Sequence, residues 1–143
     1  MKLFKPVSQF RSFPIFLLII FDQVTKLVFS SRDFFIGFIH VHLVKNYGLG
    51  FGLNFGTLAN LIVILIALGF FVYYYLAHPN KLVFVLILAG ALSNIIDRLY
   101  LGYVRDFIDL RLGFTFNLAD FMVVLGLMII LFNMPIANRD ESL

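Results

Sequence analysis

The stretch LVFVLILAGALSNIIDRLYL, residues 82–101, is apolar from Leu82 to Leu92 and then turns polar at Ser93, Asn94, Asp97 and Arg98. About 20 residues of helix cross the roughly 30 Å hydrocarbon core of a bilayer. The stretch therefore reads as a membrane helix with a polar cluster at one end. Three more stretches approach that length: 13–30, interrupted by Asp22 and Lys26; 58–77, with no charge; and 118–136, which opens near Asp120. Backbone groups in lipid must be satisfied within their own segment, so all four read as helices. The expected fold is an all-α bundle of four transmembrane helices in a single domain, residues 1–143. Composition agrees: 62% of residues are hydrophobic, 13% are charged, and mean hydropathy is +0.99. Soluble domains run about 45–50% apolar and about 25% charged, so a soluble globular or disordered chain is excluded. The net charge of +3 is small and scattered, which excludes nucleic acid as a partner. Without Cys there is no disulfide, thiol nucleophile or Cys-ligated metal.

Four helices put both termini on one side. Lys2, Lys5 and Arg11 favour a cytoplasmic N-terminus. Lys81 and Arg139 agree, although Arg32, Lys45, Arg98, Arg105 and Arg111 lie on the other side, five against five. A cleavable signal peptide is a poorer reading of the first segment, because Asp22 interrupts the run and no small-residue cleavage site follows. Tyr73, Tyr74 and Tyr75 close the second helix like an aromatic belt. Between the first two helices, residues 31–56 hold an alternation from His40 to Val44, followed by Gly48, Gly50, Gly52 and Gly56. That region reads as a small extramembrane sheet and loop.

The polar residues are one-sided. Asp22 and Lys26 end the first helix, Asn46 precedes the second, Asn94, Asp97 and Arg98 end the third, and Asn117 and Asp120 open the fourth. In an up-down-up-down bundle those ends share one membrane face. Six of the eight acids, Asp22, Asp33, Asp97, Asp106, Asp109 and Asp120, gather there. Ionisable groups at membrane depth are costly and mark functional sites. Asp22 and Lys26 stand i,i+4 with the acid first, the favourable order for a helical pair. Gly90 and Ala91 offer a small-residue surface to a neighbouring helix. Asn117 can cap the fourth helix, placing Asp120 in its first turn, where the positive helix end favours the ionised form.

The chain has no Ser-based elbow, HExxH or phosphate loop. His40 and His42 share one side of the expected strand, but no carboxylate lies beside them in sequence, so no metal site is expected. Two close carboxylates can share a proton, one serving as base toward water and the other as acid toward a carbonyl. Spacing alone does not choose that pair. Nor does it exclude a proton-coupled carrier or channel subunit using the same acids as a relay. A carrier commonly shows inverted repeats and broken helices, which are not visible here. A non-catalytic scaffold would not require six acids on one face.

Five motifs in order decide further. Asp22-Gln-Val-Thr25-Lys26 resembles a D-x-x-T-K element, and Asn46-Tyr-Gly48-Leu-Gly-Phe51-Gly52 resembles N-x-G-x-x-[FW]-[GS]. Ala89-Gly90-Ala91-Leu-Ser93-Asn94-Ile-Ile-Asp97-Arg98 is similar to G-G-x-x-[GS]-N-x-x-D-R. Gly102-Tyr-Val104-Arg-Asp106-Phe107-Ile-Asp109 resembles G-x-V-x-D-F-[IL]-D, and Phe116-Asn117-Leu-Ala119-Asp120 resembles F-N-x-A-D. Together they resemble the lipoprotein signal peptidase (signal peptidase II) family over nearly the whole chain.

The resemblance implies a membrane aspartic endopeptidase of the bacterial cytoplasmic membrane, with its active site near the outer face. It would cut diacylglyceryl-modified prolipoproteins just before the lipidated Cys, need no cofactor, contact membrane lipid and bind globomycin-type inhibitors. Carried over by motif, Asp106 and Asp120 are the catalytic pair. Asp22, Lys26, Asn46, Asn94, Arg98 and Asn117 line and support it, and Asp97 is structural, paired with an Arg such as Arg105. Read from the residues themselves, Asp109 is an exposed acid or a partner of Arg111, and the positive end of the fourth helix makes Asp120 the candidate base, which leaves Asp106 as the resting acid. The chain departs from the family at Ala89, usually Gly; at Leu49-Gly50, commonly Ala-Ala; and at Gly113-Phe114-Thr115, where Pro often precedes F-N-x-A-D. None of these removes an essential group.

Overall fold

A computed structural model describes residues 13–49, 55–77 and 81–133. Four helices are found among them: α1 Phe13–Phe29, α2 Thr57–Ala77, α3 Lys81–Leu101 and α4 Leu118–Asn133. The end of the expected fourth span, 134–136, lies outside the described residues, as do 1–12 and 50–54. Two helices, α2 over Leu58–Leu76 and α3 over Lys81–Leu101, are long and apolar enough to cross a membrane; α4 is apolar but shorter.

The helices are turned inside out relative to a soluble protein. On α1 the inward stripe is Ile15, Asp22 and Lys26, while Phe13, Phe16, Leu17, Phe21, Val24 and Leu27 face outward. Soluble monomers rarely expose continuous apolar patches beyond a few hundred Å². A charged pair inside and phenylalanines outside is the arrangement a lipid solvent selects. α2 is almost entirely outward-facing; Tyr75 stacks on Phe84 of α3 at 4.1 Å, so Tyr73, not the full tyrosine run, stands free at that helix end.

α3 is the central helix and packs against α1, α2 and α4. Its approach to α4 depends on Gly90. A Cβ there would meet the Ala119 carbonyl oxygen at 2.4 Å and Val123 Cγ2 at 2.8 Å. The first is backbone and cannot swing away. The buried cluster here joins Ile15 of α1 to Ala89 of α3 and to Ala119 and Met122 of α4. α3 ends where Gly102, at φ 81°, donates its N–H to the Arg98 carbonyl at 3.1 Å, a C-terminal glycine cap.

A four-stranded antiparallel sheet covers the polar ends of the helices, in the order β1 Phe34–Ile36, β2 Ile39–Asn46, β3 Val104–Asp109, β4 Thr115–Phe116. The sheet expected within 31–56 supplies only β1 and β2; half of it comes from the connection between α3 and α4. The reason lies in β3. Val104, Asp106 and Phe107 are all buried, so both faces are covered and no period-two pattern marks the strand. β2 carries an irregularity: Val41 opposes Ile108 and Val44 opposes Asp106, three steps against two. One extra residue in β2 is a β-bulge, and it reverses which face the following residues occupy. Beyond the bulge, Asn46 shares a face with Asp106.

Gly90→Ala should drive α3 and α4 apart and lower stability by about 1–3 kcal/mol, the usual cost of overpacking. The check is the thermal midpoint in detergent, with Gly69→Ala as control, because a Cβ at Gly69 meets nothing within 4 Å.

Candidate active site

Two carboxylates stand where the sheet meets the helices. Asp106, on β3, is 1% exposed. Its Oδ1 accepts from Asn117 Nδ2 at 2.7 Å and its Oδ2 from Asn46 Nδ2 at 2.9 Å. Asp120 lies in the first turn of α4 and is partly exposed. Its Oδ1 accepts from Asn94 Nδ2 at 2.8 Å and its Oδ2 from the Asn117 backbone N–H at 3.1 Å. The Asp120 N–H donates back to Asn117 Oδ1 at 2.9 Å. This is a reciprocal N-terminal cap with Asp in the usual Glu position. Asn117 is fully buried and touches both acids: its side-chain amide holds the strand carboxyl, and its backbone N–H holds the helix carboxyl.

The strand carboxyl is a poor place for charge. Burial, and then the nearby Asp120 charge, raise the Asp106 pKa to about 7, against the donors Asn46 and Asn117 and the more distant Lys26. At neutral pH Asp106 therefore keeps a proton far more readily than an ordinary carboxyl.

Beneath the two acids lies a buried charge network. Lys26 Nζ meets Asp22 Oδ2 at 2.8 Å and Asp97 Oδ2 at 3.5 Å, all three side chains fully buried, and donates to Asn94 Oδ1 at 2.8 Å. Lys26 thus does more than pair with Asp22. Asp22 accepts the Ala119 N–H of α4 at 2.8 Å through Oδ1 and the Ser93 hydroxyl at 2.6 Å through Oδ2. Asp97 receives Arg105 in two ways: Nη2 reaches Oδ1 at 2.7 Å, and Nε and the backbone N–H reach Oδ2 at 3.2 and 3.0 Å. Arg98 lies within electrostatic reach of Asp120, Asp106 and Asp97. It donates to the Gly48 carbonyl at 2.7 Å and the Asn94 carbonyl at 3.3 Å, tying the segment after β2 to α3.

Three participants had no role assigned from the sequence. Gln23 donates to Ser93 and to Asp97 Oδ1 at 3.0 Å and accepts from Arg105 at 2.7 Å. Ser93 bridges Asp22 and Gln23. Asn60, buried on α2, accepts the Phe55 N–H at 3.1 Å and donates to the Tyr47 carbonyl at 2.9 Å. Their common signal is an amide or hydroxyl in an otherwise apolar helix, which is retained only where it finds a partner.

Asp109 is a partner of Arg111 through the backbone: it accepts the Arg111 N–H at 2.6 Å, and this bond holds its pKa below the ordinary carboxylate value. One sequence reading requires correction. A carboxylate does stand beside the histidines. Strand pairing sets Asp109 opposite His40, and Asp109 Oδ2 lies 3.4 Å from His42 Nε2. Among the described residues this trio is the grouping with metal-ligand geometry, and it does not include the Asp106–Asp120 pair.

The arrangement can perform acid–base chemistry on a carbonyl: a partly exposed carboxyl beside a buried one that tends to keep its proton. Comparison with known proteins identifies the setting. The family described as signal peptidase (SPase) II matches residues 14–136. The chain belongs to the signal peptidase II family. A lipoprotein signal peptidase of Thermodesulfovibrio yellowstonii is 38% identical over 145 residues, covering 92% of this chain and 95% of the relative. One from Fusobacterium nucleatum is 32% identical, covering 94% and 91%. A solved bacterial membrane enzyme superposes with a TM-score of 0.74 at 29% identity, covering 92% of each chain. The chain is thus a membrane protein of a peptidase family, mainly helical with a small antiparallel sheet. The carrier or channel alternative has no support, and α2 runs unbroken over Thr57–Ala77.

Lys26→Met should leave Asp22 and Asp97 buried without their shared cation. Breaking a buried pair this way costs about 3–5 kcal/mol. The expected result is a large drop in thermal midpoint, measured in detergent. A midpoint within a degree of wild type would show that Arg105 alone suffices.

Proposed function

We propose that the chain is an aspartic endopeptidase with Asp106 and Asp120 as its dyad, removing signal peptides from diacylglyceryl-modified prolipoproteins by cutting before the lipidated Cys. The observation that carries the dyad is Asn117, which hydrogen-bonds both carboxyls at once. Asp120 acts as base: it takes a proton from a water molecule, whose oxygen attacks the scissile carbonyl carbon. Asp106, the acid, gives its proton to the carbonyl oxygen. The tetrahedral diol then collapses as the amide nitrogen takes a proton, breaking the C–N bond and regenerating one shared proton on the pair. The proton-retaining environment of Asp106 supports this division of roles. Asn46, Asn94 and Asn117 orient the two carboxyls; Asp22, Lys26 and Asp97 hold the helices that carry them; Arg98 positions the segment through Gly48.

In this reading all four helices cross the bacterial cytoplasmic membrane, with both termini cytoplasmic and the dyad near the outer face under the sheet. The outward apolar faces of all four helices and the polar helix ends on one side support it. Substrate, anchored by its own lipid, reaches the site by lateral diffusion. Globomycin-type inhibitors bind the same site.

Asp106→Asn and Asp120→Asn should each remain folded and lose activity by on the order of 10³-fold or more toward a lipidated prolipoprotein. Asn keeps the size but supplies no exchangeable carboxyl proton. Cleavage near the wild-type rate by either variant would refute the pair. A chelator should leave cleavage unchanged.

Activity should also fall as pH rises through about 7, where Asp106 loses its proton. Stability follows the same group. A carboxyl whose pKa is raised on folding penalises the native state above the unfolded value, increasingly until the folded pKa is reached. The thermal midpoint of wild type relative to Asp106→Asn should therefore decline between about pH 4 and 7 and be level above. A flat difference across that range would show that Asp106 is not perturbed.

A further inference from the structure

The sheet face opposite the dyad carries a second cluster of side chains. Paired strand residues point the same way and neighbours alternate, so His40 and Asp109 lie on the face opposite Val41, Ile108 and Asp106. His42 Nε2 lies 3.4 Å from Asp109 Oδ2, and His40 Nε2 lies 2.8 Å from Asp33 Oδ1. One ligand atom from each of His40, His42 and Asp109 falls within 4.8 Å of the others. In a tetrahedral zinc site with bonds of about 2.0–2.2 Å, ligand atoms stand roughly 3.4 Å apart. The cluster is already near that size.

Its acid is oriented in advance. Arg111, in the left-handed region at φ 60°, donates its backbone N–H to Asp109 Oδ1 and leaves Oδ2 toward His42. The histidines are about a quarter exposed and Asp33 is 76% exposed, so solvent and ions reach the cluster. The two imidazole rings are stacked at 4.0 Å, and Phe35 covers the other side of His40 at 4.1 Å. Convergence on one ion requires rotation about the soft χ2 torsions.

We propose that His40, His42 and Asp109 bind one divalent cation of the zinc class, with Asp33 as the fourth ligand. Imidazole donors favour zinc, copper and nickel over magnesium or calcium. The ion fastens β2 to β3 and to the residue preceding β1, at the sheet end away from the dyad. It takes no part in peptide cleavage: Asp106 is three residues along β3 from Asp109, roughly 10 Å, and faces the other way.

The test uses untagged full-length protein in detergent, stripped with a chelator and dialysed against about 10 µM Zn²⁺ or Mg²⁺ before elemental counting. Wild type should retain about one zinc per chain and no magnesium, and zinc should raise its thermal midpoint. The double variant His40→Ala, His42→Ala should retain only background zinc and lose the midpoint rise. Asp109→Asn should weaken binding at least about tenfold. His78→Ala should match wild type. Co²⁺ added to wild type should give the visible absorption of a tetrahedral nitrogen–oxygen site, a readout that needs no variant. Zinc retention by the double variant, loss of zinc in His78→Ala, or no retention by wild type would each overturn the site.

Discussion

Lys26 is a fully buried ammonium on a helix whose outer face is phenylalanine and leucine, and the polar architecture can be traced from satisfying it. An unpaired charge at that depth costs several kcal/mol, so acceptors must surround it. Asp22, Asp97 and Asn94 do so. Each of these has further hydrogen-bonding capacity, which must also be met. Asp22 takes an amide at the start of α4; Asp97 takes the Arg105 side chain and backbone at the start of β3; Asn94 turns its amide to Asp120. The chain of satisfied partners that starts at one lysine therefore ends on the two elements that carry the paired carboxyls. Among the described residues no buried side-chain polar atom lacks a partner.

Two local irregularities finish the placement. The bulge in β2 turns Asn46 to the face of Asp106, and the cap at Asn117 fixes Asp120 relative to the end of β4. The two carboxyls consequently sit in unlike surroundings. One is buried on a strand and held by two amide donors. The other takes part in a helix cap, where a backbone N–H and the Asn94 amide offset part of the cost of burying it. Unequal surroundings for a pair of acids are what separates acid from base in shared-proton chemistry.

The helices were legible because length and apolarity are properties of single segments. The collection of acids at one end was legible too, since alternating helices place those ends together without knowledge of any contact. β3 was not, because a strand covered on both faces shows no alternation. The roles of Gln23 and Ser93 were not, because their partners lie about 70 residues away and the charged residues beside them carry the stronger signal. The Asp109–His42 contact depended on a register shifted by the bulge, which no spacing within β2 reveals. The two carboxyls of the dyad were named through motif resemblance, since spacing left several acids equivalent.

The position of the proposed dyad follows from what each solvent permits. Peptide hydrolysis requires water and mobile protons, while a lipid-anchored substrate requires the site to lie beside the hydrocarbon. Mid-helix N–H groups are already paired within their own helix, so a carboxyl there must find its donors elsewhere, as Asp22 does at Lys26, Ser93 and the start of α4. At a helix N-terminus the first N–H groups are unpaired by construction. The start of α4 uses two of them on carboxylates, Ala119 on Asp22 and the Asn117 cap on Asp120. The sheet then supplies the second acid from above, buried enough to keep a proton that open water would remove. A pair of acids set half on a helix cap and half on a strand joins a partly exposed carboxyl to a fully buried one.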